Sequence, residues 1–92
     1  MYGVFFMTRR LFLISGNMCG SRVRLGRALQ KPPITQKELA NRINFMGYED
    51  MSERIISKIE KNQRHVCDLE LMLLAKALNV SMEWLCGEGS DI

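Results

Sequence analysis

The sequence is poor in what a disulfide scaffold, a structural zinc site or a membrane span would need. Its three cysteines, Cys19, Cys67 and Cys86, are odd in number, widely spaced and without a Cys-x-x-Cys pair. That pattern is neither a disulfide framework nor a zinc ligand set, and it fits a reducing, cytoplasmic location. The single histidine sits in His65-Val66-Cys67, two candidate ligands without the second pair that a tetrahedral site requires. Apolar runs such as Val4–Met7 and Leu11–Ile14 are broken by Arg9-Arg10, whereas a membrane span needs roughly 18 to 20 apolar residues in a row. There is no glycine-rich phosphate loop, nucleophile–base pair or acid cluster. In a chain of 92 residues, a catalytic cleft would also compete with a small core for buried surface. The expectation is one small domain with no enzymatic activity, no cofactor and no metal.

What is present is an ordinary globular composition, 47% hydrophobic and 25% charged, with a lopsided charge distribution. Residues 1–64 carry twelve bases and five acids, a balance of +7, whereas residues 65–92 carry one base and five acids, a balance of −4. Arg22, Arg24, Arg27, Lys31 and Lys37 run through a stretch with no acid. Such a basic half suits a polyanionic partner, because cations that neutralise phosphates release counterions. A solvated helix face explains it equally well on composition alone.

Residues 1–18 read unlike the rest. Thr8-Arg9-Arg10-Leu11-Phe12-Leu13 is similar to a twin-arginine export motif, but the apolar run after it stops at Ser15-Gly16-Asn17, short of the roughly 7 to 15 residues such a signal needs. Export is not expected. The segment reads as a dispensable or disordered extension ahead of Met18, or as an ordered packing or dimer element.

From residue 21 onward the pattern is helical. Ser21 is a cap for a first helix with apolar positions Val23, Leu25, Ala28 and Leu29, closed by Pro32-Pro33. Thr35-Gln36-Lys37-Glu38 is a capping box for a second helix burying Leu39, Ala40 and Ile43, with Gly47 as its stop. Asp50 or Ser52 caps a third helix. Counted at about 100° per residue from Arg54, its isoleucines Ile55, Ile59 and Ile56 centre near 150°, and Arg54, Lys58 and Lys61 fall within about 60° on the other side. Asn62 is its expected left-handed terminator. Cys67 or Asp68 opens a fourth helix with Leu71, Leu74, Ala75 and Leu78 in register, ended by Asn79. Ser81 caps a short fifth carrying Trp84 and Leu85 before Gly87, and Glu88–Ile92 is a polar tail.

Thr35-Gln36-x-x-Leu39-Ala40, then Ile56-Ser57-Lys58-Ile59-Glu60, then Leu71–Val80 followed by Ser81-x-x-Trp84-Leu85 together resemble the lambda-repressor-like, Xre-type helix-turn-helix family. The resemblance spans roughly residues 21–86, with several motifs in the right order. It implies an all-α, five-helix DNA-binding domain over residues 19–87, flanked by the extension 1–18 and the tail 88–92, with the third helix (51–61) in the major groove. It further implies a cytoplasmic transcriptional regulator, a repressor of phage or mobile-element type, binding a pseudo-palindromic double-stranded DNA operator as a homodimer. Carried over by position, Glu53, Arg54 and Lys58 reach base edges, while Gln36, Lys37, Ser57 and Lys61 contact phosphates, joined by Arg22 and Arg24 of the basic run. Ser57 either touches DNA or keeps the second and third helices close. The rival reading is a protein-interaction module, or the antitoxin of a toxin–antitoxin pair, on the same fold.

One feature departs from the family pattern. Ala40 and Ser52 lie twelve positions apart, about twice the spacing typical of the family. The extra residues around 44–51 are expected to lengthen the second helix or loop out beside the third, placing Tyr48, Glu49 and Asp50 near the DNA surface.

Overall fold

The second, third and fifth helices open on local caps that the sequence offers. The computed structural model describes residues 17–87, and the twin-arginine-like segment and the polar tail lie outside them. Within these residues five helices follow one another: α1 (Gly20–Ala28), α2 (Gln36–Phe45), α3 (Glu53–Glu60), α4 (Asp68–Leu78) and α5 (Met82–Leu85). Among the described residues there is no strand. The Thr35 hydroxyl accepts from the Glu38 amide at 3.0 Å and the Glu38 carboxylate accepts from the Thr35 amide at 2.7 Å, so both halves of the capping box form. Of the two candidates for α3, Ser52 is the cap, accepting from the Ile55 amide. Ser81 caps α5 through the Trp84 amide.

The helix ends are equally local. Asn62 and Asn79 take the left-handed conformation, as does Gly47 after α2, each letting the chain leave its helix without a Cβ clash or at the small cost asparagine tolerates. At α3 the Gln63 amide donates to the Lys58 carbonyl and the Asn62 amide to the Ile59 carbonyl, the double bond pattern of a Schellman end.

The core gathers Leu39, Ile43, Ile56, Ile59, Leu74, Leu78 and Leu85, all essentially inaccessible, between α2, α3, α4 and α5. The first helix corrects its sequence reading. Leu25, Ala28 and Leu29 are exposed, and the buried positions are Gly20, Val23 and Gly26. The reason is proximity: a Cβ on Gly20 would collide with the Ile59 carbonyl oxygen, and one on Gly26 would sit 3.0 Å from Leu78 Cδ1. α1 therefore packs through its small residues, and its leucines are left outside.

Ser21 is not the cap of α1 either. Cys19 occupies the cap position without a side-chain bond, and Asn17 does the capping from two residues back. Its Oδ1 accepts from the Cys19 and Gly20 amides at 3.0 and 2.7 Å, and its Nδ2 donates to the carbonyls of Ile59 and Arg64. Its backbone amide donates to Asn62 Oδ1 at 2.6 Å. Asn17, read from sequence as part of the extension, is thus bound into the domain, with every hydrogen-bonding group of a buried amide satisfied.

The extra residues after Ala40 do two things. They carry α2 on to Phe45, and they form a turn pinned by Asn44, whose Nδ2 donates to the carbonyls of Tyr48 and Met51. Met51 fills the core at the end of this turn.

Candidate nucleic-acid interface

The site begins with the wheel of α3. Ile56 and Ile59 are buried against the other helices and Ile55 is half-buried, while Glu53, Arg54, Lys58 and Lys61 are exposed. No hydrogen bond or ion pair engages the side chains of Arg54, Lys58 or Lys61 among the described residues. Three cations on one exposed face without an internal acid form a surface suited to an anionic partner. Arg24 and Lys37 are likewise exposed.

Behind this face lies a network that fixes α3 in place. Glu60, at the end of the Ile-Ser-x-Ile-Glu motif, has a side chain only 4% exposed. It accepts from Arg27 Nε at 2.7 Å and from Arg27 NH2 at 2.9 Å, and also from Gln36 Nε2 at 3.0 Å. Arg27 reaches on to the Ile34 carbonyl. One carboxylate therefore ties α1, the start of α2 and the end of α3 with charge-assisted bonds. The fork-like pairing raises the pKa of the Arg27 guanidinium despite its partial burial. Sequence reading missed this network; the motif glutamate and an arginine in an acid-free stretch were its only signals.

The candidate phosphate ligands divide accordingly. Gln36 is half-buried with one amide hydrogen held by Glu60, which leaves the other directed by that bond. Ser57 is half-buried on α3. Arg22 is turned to α5 instead: its NH1 donates to the Trp84 carbonyl at 2.8 Å and its guanidinium stacks 4.7 Å from the Trp84 ring centre. It holds α5 to α1 by a hydrogen bond and a cation–π contact.

Tyr48 also differs from expectation. Its ring packs on the core and its hydroxyl donates to Glu70 at 3.3 Å. Glu70, itself buried, is bridged by Arg64 and accepts from the Cys67 amide at the start of α4. Loss of solvation and the neighbouring Glu70 charge raise the Tyr48 pKa, keeping the hydroxyl a donor. Glu49 and Asp50 remain exposed in the turn before α3.

No group of three or more His, Cys, Asp or Glu residues among those described is arranged to hold a metal ion, and no helix among them is long and apolar enough to cross a membrane.

Two helices joined by a turn, the second presenting an unpaired basic face, define a helix-turn-helix DNA-binding domain. Comparison with known families agrees: a helix-turn-helix family model matches residues 26–85. The chain belongs to that family, the Xre and lambda-repressor-like helix-turn-helix proteins, whose members are DNA-binding regulators rather than typical enzymes. No curated protein and no solved structure matches the chain.

Proposed function

We propose that this protein is a cytoplasmic, sequence-specific transcriptional repressor of phage or mobile-element type, which binds a pseudo-palindromic operator as a homodimer. The observation that carries this reading is the exposed, internally unpaired stripe Arg54–Lys58–Lys61 on a helix whose opposite side is locked in the core. In this reading α3 lies in the major groove. Arg54 pairs with guanine O6 and N7, Lys58 reaches an adjacent base, and Glu53 accepts from a cytosine amino group. Lys61, Lys37, Ser57, Arg24 and the second amide hydrogen of Gln36 contact phosphates. Arg22, engaged by Trp84, is left out of that set. Glu49 and Asp50, exposed just before α3, repel backbone phosphates and weaken indiscriminate binding. No cofactor enters the proposal.

The test is fluorescence anisotropy against the DNA upstream of the protein's own coding sequence and a scrambled duplex, at two salt concentrations. A preference of roughly 10³ or more that weakens with salt is expected. Lys61→Ala should reduce the salt slope by about one, uniformly across sequences, whereas Arg54→Ala should relax preference at one base position by about 1–3 kcal/mol. Equal, weak binding to every duplex in a genomic selection would overturn the reading.

A further inference from the structure

Phe45, the last residue of α2, is 95% exposed, which is unusual for an aromatic side chain of this size. It stands beside an open, shallow depression. It borders a groove of about 580 Å³ between α2 and α4, floored by Ile34 and Ala77 and flanked by Met46, itself 40% exposed. A projecting apolar side chain beside an apolar groove is self-complementary: a two-fold axis lets each copy place its ring in the groove of the other, as an isologous interface requires.

The charges around the groove fit the same occupant. Glu38, from the first turn of α2, Arg42, one turn further on, and Lys76, from the last turn of α4, line it and are exposed, and the Arg42 guanidinium is taken up by the Gln30 side chain and the Ala77 carbonyl. Two copies related by a two-fold axis can set Glu38 of one against Lys76 of the other. An acidic or a basic partner would meet a like charge at one of these positions instead.

We propose that the Phe45 groove is the surface through which two copies of this chain associate. The proposal deepens the homodimer reading given above and rests on it. Two exchanged rings, with the groove walls they cover, account for roughly 600–1,000 Å², at the low end for a specific interface. The dimer is accordingly weak and concentration-dependent, and DNA carrying two half-sites favours it by mass action.

Sedimentation equilibrium of the full chain from micromolar to submillimolar concentration tests this. The wild type is expected to dimerise, and Phe45→Ser to raise the dimer Kd by about tenfold or more. Because the ring is solvent-exposed, its removal leaves the fold intact, which a melting curve verifies. Lys76→Glu should also weaken the dimer, and adding Glu38→Gln, which keeps a capping-box side chain, should restore much of the loss. A wild type that stays monomeric throughout, Phe45→Ser dimerising like the wild type, or no rescue by Glu38→Gln would each overturn the proposal. Anisotropy on a single half-site duplex separates this from the DNA-binding reading. Equal binding by wild type and Phe45→Ser, with a changed dimer Kd, supports the surface. If neither protein binds but the dimer still depends on Phe45, the surface stands and the DNA reading fails. Weaker half-site binding by Phe45→Ser without a change in association makes DNA the occupant and removes the dimer proposal.

Discussion

The charged groups of this domain fall into two regions with opposite treatment. At the seam where α1, α2 and α3 meet, Glu60, Arg27 and Gln36 are held in one hydrogen-bonded cluster, with the Glu60 side chain almost wholly out of solvent. On the outer face of the same helix, Arg54, Lys58 and Lys61 are exposed and unpaired among the described residues. Glu60 and Lys61 are neighbours in sequence, yet one positions the helix and the other is left for whatever the helix meets. Burial makes the difference, because a charge taken out of water must be paired, and an exposed one need not be.

This comparison is broken most severely at Glu60. Replacing Glu60 with Ala leaves the Arg27 guanidinium, 17% exposed, without its carboxylate, and unfolding free energy should fall by about 3 kcal/mol or more. Chemical denaturation measures it, and a loss under 1 kcal/mol would show that the seam does not hold α3. The same experiment on Arg54→Ala should give a change within about 0.5 kcal/mol, its effect appearing in DNA binding alone.

A second consequence of burial concerns Cys19 beneath the start of α1. Burial, reinforced by nearby Cys86, pushes its thiol up to about 11 from an ordinary value of 9.0. A group that binds its proton more tightly when folded lends stability that is complete below pH 9 and disappears as pH rises toward 11. Melting temperatures should therefore decline over that window, by the equivalent of about 2–3 kcal/mol from this thiol. Cys19→Ala should flatten the decline relative to its own value at pH 8; an identical slope in both proteins would assign the alkaline loss elsewhere.

The gentlest test lies at Tyr48. Tyr48→Phe removes one hydrogen bond to Glu70 and leaves Arg64 and the Cys67 amide in place, so a loss of about 1 kcal/mol is expected. That result would place the extra turn among the structural elements of the domain. No change in stability together with altered DNA binding would return Tyr48 to the outer face.

Several of these distinctions were legible in the chain itself. Thr35 and Ser81 cap helices, as does Ser52, one of two candidates the sequence offered, and Asn62 and Asn79 end them, because each acts on amides and carbonyls within a few residues. The cationic stripe of α3 was legible for the same reason, since 3.6-residue periodicity sorts the isoleucines from Arg54, Lys58 and Lys61 without reference to any other segment. The contact of Arg22 with Trp84 was not legible there, because the two lie 62 residues apart.

What the tertiary structure alone decided is every choice between chemically equivalent groups. Arg22, Arg24 and Arg27 share one acid-free stretch, yet Arg27 meets Glu60 across 33 residues, Arg22 meets Trp84, and Arg24 remains exposed. Leu25 and Leu29 had the apolar character of a core face and lost it to Gly20 and Gly26, because helices can approach the Ile59 carbonyl and Leu78 so closely only where no Cβ intervenes. Asn17 and Tyr48 took their places through partners 42 and 22 residues distant. Local sequence determines where α2, α3 and α5 begin and where α3 and α4 end; which apolar side and which charge are buried, and which are offered, depends on packing that no short window contains.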